Sequence, residues 1–203
     1  MMKPESMRPI RSAVGGVLAT FLFATMPIAG AQAHSFSLGV SADGSDLPTA
    51  LDSAIKGILL ATRERDSHAN ETSDGHLGGL DVFLVPLPTE AAADIDGLRD
   101  VDRRPIDIAV LLGPGSGDDQ DLSQLDPQTV VVRPGRIISE PTEAGRDFGA
   151  RFLTAYGLRP DRAAIEGYNA ARRVDLALRS TNGVADRPAL IDALTATADG
   201  VEW

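Results

Sequence analysis

The strongest chemical signal in the chain is a glycine-rich turn, Gly113-Pro114-Gly115-Ser116-Gly117, directly after the hydrophobic run at 106–112. No lysine followed by serine or threonine completes a phosphate-binding loop here. The turn is not a nucleophile elbow, because Ser116 has Pro114 and Asp118 where that motif has glycines. The dinucleotide-binding fingerprint is also incomplete. The turn therefore predicts a binding or structural role and not catalysis.

Three aspartates follow the turn, at Asp118, Asp119 and Asp121. At the start of a helix they would occupy its positive end and repel a carboxylate or phosphate. A calcium loop through Asp119, Asp121 and Ser123 lacks the central glycine and the final glutamate. Two interpretations stay open: a ligand-binding turn, and a tight strand-to-helix turn capped by aspartates.

The histidines do not form a catalytic or metal-binding pattern. His34 would be the first residue after signal cleavage, where an amino terminus and an imidazole bind copper if His68 or His76 joins them. The alternative is a set of solvated terminal and loop histidines. The chain has no cysteine, which excludes thiol catalysis, disulfides and thiolate metal sites. We predict no enzymatic activity, no metal site and no cofactor.

Hydrophobic patterns predict the elements that position the turn. Strands are expected at 35–40, 80–85, 106–112 and 129–132, and helices at 48–65 and 89–99. The polar segment 66–79 is predicted to be a loop. The expected inner face of the first helix consists of Leu51, Ala54, Ile55, Ile58 and Leu59.

The C-terminal region predicts three helices. The first carries Phe148, Phe152 and Tyr156 and is closed by Gly157. The second begins at Pro160 and Asp161, ends near Gly183, and buries a stripe formed by Ala164, Tyr168, Ala171, Val174 and Leu178. The third begins near Asp186 and has an inner face of Leu190, Ile191 and Leu194.

This order of elements predicts an α/β fold with a doubly wound, mainly parallel sheet of about four strands and C-terminal helices. Ligands of such sheets lie beyond the carboxyl ends of the strands, where the strand order reverses. The candidate site is therefore formed by the loops after Val40 and Leu112. Asp43 and Ser45 lie in the first of these loops, although ordinary turn chemistry accounts for them equally well.

Two segments resemble a known family. The C-terminal pattern consists of Phe152, Tyr156, Gly157, Pro160, Ala163, Ala164, Gly167, Tyr168, Asn169 and Ala170, and a shorter one of Gly57-Ile58-Leu59-Leu60-Ala61. Both are similar to the type I periplasmic binding proteins, the Leu/Ile/Val-binding group of ABC-transporter receptors. An ordinary helical hairpin, with Tyr168 in the core, is the alternative interpretation of the C-terminal pattern.

The resemblance implies a ligand and the residues that bind it. In this family a glycine-proline-x-serine turn supplies a hydroxyl and backbone N–H groups to the carboxylate of an amino-acid ligand. Here the implied ligand-binding residues are Ser116 with Gly113, Gly115 and Gly117, together with Asp43 and Ser45. The implied partners are a small polar molecule, such as an amino acid or amide, and an ABC permease or another periplasmic protein. The aspartates after Gly117 depart from the family pattern, which continues with a second serine and small apolar residues.

The N-terminus predicts a secretory signal peptide. Residues 1–33 combine Lys3, Arg8 and Arg11 with an apolar run at 13–29 and the small residues of Ala31-Gln32-Ala33. The run is shorter than the ~20 apolar residues of a membrane span, so we expect a periplasmic mature chain with no span. Without residues 1–33 the chain carries 16 basic and 28 acidic side chains, a net charge of −12. Such a charge repels nucleic acid.

The predicted organisation has three segments: a signal peptide at 1–33, an α/β lobe at 34–147, and a helical segment at 148–203 that packs on the lobe. Receptors of the resembling family close two lobes on their ligand, whereas here the link at 133–146 stands in place of most of the second lobe. The resemblance implies a shortened periplasmic solute-binding protein of an ABC-type amino-acid or amide transport system. The alternative is a degenerate, non-transport relative that acts as an accessory or interaction protein in the periplasm.

Overall fold

The structure is a computed structural model, and it describes residues 34–44, 46–65, 72–87, 105–113, 125–135, 142–181 and 183–201. These residues form five strands and four helices. In chain order they are β1 (Ser35–Ala42), α1 (Leu47–Arg63), β2 (His76–Leu77), β3 (Leu80–Pro86), β4 (Ile108–Leu112), β5 (Val130–Val132), α2 (Glu143–Tyr156), α3 (Arg162–Thr181) and α4 (Arg187–Ala196). The helix predicted at 89–99 and the signal peptide predicted at 1–33 lie outside the described residues.

The five strands form one sheet in the order β2-β3-β1-β4-β5. Strands β3, β1, β4 and β5 are parallel, and β2 runs antiparallel to β3. The prediction of an α/β fold with a mainly parallel sheet and C-terminal helices is confirmed. Because β3 and β4 lie on opposite sides of β1, the order of the parallel strands reverses between β1 and β4.

The prediction of a loop at 66–79 is wrong for His76 and Leu77, which form a short hairpin with β3. Gly78 and Gly79 make the turn and have φ angles of 64° and 81°. Two consecutive positive φ angles suit the two-residue turn that best matches the twist of a hairpin. The sequence signal for this hairpin is the Gly-Gly pair between Leu77 and Leu80. The polar residues before the pair favoured the prediction of a loop.

The hydrophobic core lies between the sheet and the helices. Alternate strand residues such as Leu38, Val40, Ile108 and Val110 are fully buried and belong to one cluster with residues of α1, α3 and α4. All five residues of β4 are buried, as expected of a central strand covered on both faces. No helix in the described parts of the chain is both long and apolar enough to cross a bilayer.

Helices α1 and α3 cross with their backbones in close contact. A Cβ on Gly57 would overlap the carbonyl oxygen of Ala164, and a Cβ on Gly167 would overlap that of Ala54. This crossing buries Gly57, Leu60 and Ala61, which shifts the inner face of α1. Three residues predicted to be inward on α1 are only partly buried, namely Leu51, Ile55 and Leu59.

Capping residues set most helix ends where the sequence predicts them. Asp46 caps α1, Gly157 ends α2 with a φ of 70°, and Asp186 caps α4. Helix α2 begins at Glu143, five residues before Phe148, because the Thr142 hydroxyl accepts a hydrogen bond from the Gly145 N–H at 3.1 Å. The inward placement of Ile191 is wrong. It is 51% exposed, since α4 buries Leu190 and Leu194 only.

Candidate functional site

The carboxyl ends of β1 and β4 lie side by side where the strand order reverses. Ala42 pairs with Leu112, and the Asp43 N–H donates to the Leu112 carbonyl at 2.9 Å. Gly113 has a φ of 94°, and a Cβ there would overlap the carbonyl oxygen of Asp43. The two loops therefore touch through their backbones, and only glycine fits at this position.

A cavity of about 280 Å³ opens beside this contact. Its walls are the loop after β1, the first turn of α1, Gly113, and the first turns of α3. We call it the switch-point cavity, and its main lining residues are Asp43, Asp46, Gly113, Asp161, Arg162 and Glu166. It lies where parallel α/β sheets bind their ligands.

The structure brings two of the predicted site residues together in the switch-point cavity. Asp43 and Gly113 both line it. Ser45, Gly115, Ser116 and Gly117 lie outside the described residues. Their role as ligand-binding residues stays a prediction.

The predicted set of site residues lacks Asp46, Asp161, Arg162 and Glu166, of which Glu166 is the buried one. Its side chain is buried in the second turn of α3, with 3% exposure. Oε2 accepts a hydrogen bond from the Gly113 N–H at 2.7 Å, and Oε1 accepts one from Arg162 Nε at 2.7 Å. The only hint in the sequence is its i,i+4 spacing from Arg162, which also describes many exposed ion pairs.

Two helix N-termini face the switch-point cavity, and each carries an aspartate cap. Asp46 accepts hydrogen bonds from the Thr49 hydroxyl at 2.7 Å and from its N–H at 3.5 Å at the start of α1. Asp161 accepts one from the Ala164 N–H at 2.9 Å at the start of α3. The positive ends of both helices are thus already paired with carboxylates of the protein.

Tyr168 belongs to a separate network at the other end of α1. Its hydroxyl donates to Glu64 Oε2 at 2.6 Å and accepts from Arg151 Nη2 at 3.1 Å. Burial, followed by the hydrogen bond to Glu64, raises the pKa of Tyr168 from 10.0 to about 12. Glu64 follows the last residue of α1, whereas the switch-point cavity borders the first turn of that helix. The ring of Tyr168 is buried in the hydrophobic core, which is where the helical-hairpin interpretation places it.

The described residues contain no group of three or more side chains that could hold a metal ion. His76 Nε2 lies 2.8 Å from Asp81 Oδ1 across the hairpin. His34 is exposed at the start of β1, and His68 lies outside the described residues. Copper binding by His34 stays an open alternative.

A second concave surface lies along the edge of the sheet. It has a volume of about 570 Å³ between β5 and α4, and we call it the edge groove. Val131, Arg133, Ile191 and Thr195 line it. The guanidinium of Arg173 closes one side by donating to the carbonyls of Arg133 and Leu194.

Comparisons of the chain with protein-family models, with curated proteins and with solved structures find no match. The likeness to type I periplasmic binding proteins therefore depends on the sequence patterns around Gly57, Gly113 and Gly167. It stays a prediction.

Proposed function

We propose that this chain is a shortened solute-binding protein of the type I periplasmic class, which presents a small polar molecule to an ABC permease. The single observation that carries the proposal is the switch-point cavity, formed where Asp43 and Gly113 meet. An amino acid or an amide suits a space of about 280 Å³, just below the usual range for ligand pockets of about 300–1,000 Å³.

The strand order supports the proposal. Taken along the chain, the parallel strands lie in the spatial order second, first, third, fourth. This is the arrangement of doubly wound folds that bind ligands between the first and third strands. The doubly wound character and the closer likeness to one lobe of a binding protein are part of the proposal.

Compartment and partner belong to the same proposal. Residues 1–33 direct export to the periplasm, where the mature chain works with a permease or another periplasmic protein. The assigned role is binding without catalysis.

A thermal-shift screen of the exported protein with amino acids, amides and small carboxylates tests the proposal. A ligand at one hundred times its Kd stabilises by about 2.7 kcal/mol, which raises Tm by roughly 5–10 °C in a chain of this size. Asp43→Ala and Ser116→Ala are expected to remove the shift, and the exposed Asp192→Asn on α4 is expected to retain it. A screen in which no compound shifts Tm would contradict solute binding.

The edge groove supports a second candidate function, an accessory protein that binds an extended segment of a periplasmic partner. β5 is the last strand in the sheet order, and an edge strand can pair with another chain. Ile191 offers an exposed apolar side chain beside it.

A photo-crosslinking amino acid at position 191 tests this second function in the periplasm. We expect a discrete crosslinked product that is lost in Val131→Pro, because proline removes a backbone donor from β5. The same crosslinker at Leu158, which is 54% exposed in the α2–α3 loop, serves as the control. Equal products at both positions would indicate nonspecific contact.

A further inference from the structure

We infer that the switch-point cavity selects solutes that carry a protonated amine and rejects free carboxylates, and that Glu166 sets this preference. The inference rests on the proposed function and names the ligand class of the same site. It reverses the carboxylate-binding role that the family resemblance implies for the turn at Gly113.

The backbone frame of the cavity is of the kind that usually binds anions. Two helix N-termini and a loop N–H at the carboxyl end of a strand converge on it. In many proteins such groups are left for a phosphate or a carboxylate of the ligand.

Here each helix N-terminus already carries an aspartate cap, and the Gly113 N–H already donates to a glutamate. Asp46 caps α1, Asp161 caps α3, and Glu166 takes the Gly113 N–H. A ligand carboxylate would have to lie against these protein carboxylates or displace one of them, and Glu166 is the least replaceable because it is buried. Losing the Gly113 N–H would leave a buried carboxylate short of a hydrogen-bond partner, which is costly.

The charge balance of the cavity favours a cation. Among the described residues, four carboxylates line it, from Asp43, Asp46, Asp161 and Glu166, against one guanidinium, that of Arg162. Arg162 is 73% exposed, and its Nε is paired with Glu166. A carboxylate that approached Arg162 would therefore also meet Glu166, whereas an ammonium would find acceptor oxygens.

Glu166→Gln is the informative substitution. The glutamine keeps the shape and can accept from the Gly113 N–H through its amide oxygen, but it removes one negative charge. It also releases Arg162 from its ion pair. The variant should therefore bind amines more weakly and carboxylates more tightly.

Calorimetric titration with three matched compounds tests the inference: leucine, leucinamide and N-acetylleucine, with the alanine and glutamine series in parallel. Leucinamide has an amine without a carboxylate, and N-acetylleucine has the reverse. We expect at least one of the three amino-acid amides to bind the full exported protein at least tenfold more tightly than the N-acetyl derivative of the same amino acid. Glu166→Gln should reduce the ratio of the two affinities, amide over N-acetyl derivative, at least tenfold, and Asp192→Asn should preserve it.

The outcomes distinguish failure of the amine preference from failure of solute binding itself. A tighter N-acetyl compound, or an unchanged ratio in Glu166→Gln, overturns the amine preference and leaves solute binding intact. No heat of binding from any compound overturns both. Circular dichroism verifies that Glu166→Gln is folded. If it is not, Asp43→Asn in the half-buried loop replaces it, with the same expected fall in the ratio.

Discussion

Three buried charged side chains of α3 form hydrogen bonds with backbone groups of segments that are distant in the sequence. Glu166 accepts from Gly113, Asp175 accepts from Gly78 at 2.8 Å, and Arg173 donates to the carbonyls of Arg133 and Leu194. Burial lowers the pKa of Arg173. Buried charges of this kind are tolerated because they satisfy backbone groups that would otherwise be unpaired.

Tyr168→Phe tests the network of Tyr168, Glu64 and Arg151. The ring keeps its contact with Phe148, whose centroid is 4.7 Å away, so the variant removes only the hydroxyl. We expect a loss of about 1.5–3 kcal/mol in unfolding free energy at pH 7, measured by urea denaturation, because the hydroxyl bonds to two charged side chains. A loss several times larger would mean that the substitution disturbs the packing.

The pH dependence of stability gives an independent test of the same residue. The pKa of Tyr168 is about 12 in the folded protein against 10.0 for an ordinary tyrosine. Its contribution to stability is therefore complete below pH 10 and is lost as pH rises from about 10 to about 12.

Absorbance at 295 nm follows this titration, because the chain has only two tyrosines. Burial raises the pKa of Tyr156 as well, so both are expected to ionise above pH 10 in the native state. Tyr168→Phe should remove the component near pH 12. Persistence of that component would assign it to Tyr156.

The contact between α1 and α3 is the feature at the element scale that depends most on single residues. Gly57 and Gly167 let the two backbones touch, and Phe148 and Phe152 of α2 join the same core. Because the neighbouring atoms are backbone carbonyls, they cannot rotate away as a flexible side chain could. Helices with larger residues at these positions would have to separate.

Gly167→Ala and Gly149→Ala form a matched pair of substitutions within helices. Alanine favours a helix over glycine by about 1 kcal/mol. At Gly149 a Cβ meets nothing within 4 Å, so the variant should be more stable by about 0.5–1 kcal/mol. At Gly167 the overlap with Ala54 should outweigh this gain and destabilise by about 2 kcal/mol. Urea denaturation followed at 222 nm measures both, and equal effects would mean that α1 and α3 are farther apart.

At the scale of the whole molecule, one sheet with helices forms the frame of the switch-point cavity. The loop after β1, Gly113 after β4, and the first turns of α1 and α3 each contribute a wall, although their residues are far apart in the chain. In the proposed function, this frame is the part of a two-lobed receptor that remains. The ligand would then be held largely from one side, which favours weak binding.

Export of the chain is the prediction at this scale. In a Gram-negative host we expect a periplasmic protein whose N-terminus is His34, identified by mass spectrometry of the intact chain. Ala33→Phe should block cleavage, because signal peptidase sites require a small residue there. A chain that retains residues 1–33 in the unmodified protein would contradict the signal peptide.

Local patterns in the sequence were sufficient for most of the elements. Hydrophobic patterns located β1, β3, β4 and β5, and residues such as Pro160, Gly157 and Asp186 located helix ends. These signals act within a few residues, so they survive without knowledge of the fold. The order of the predicted elements then placed Asp43 and Gly113 beyond the carboxyl ends of two parallel strands, where such sheets bind ligands.

Only the tertiary structure decided which residues meet across the chain. The Gly113 N–H and Glu166 are 53 residues apart, and Gly78 and Asp175 are 97 residues apart. The neighbouring sequence does not distinguish Glu166 from an exposed helical glutamate, or Gly57 from a glycine that merely destabilises its helix. Their burial depends on how α3 crosses α1 and the sheet, which is a property of packing between distant segments and not of any one pattern.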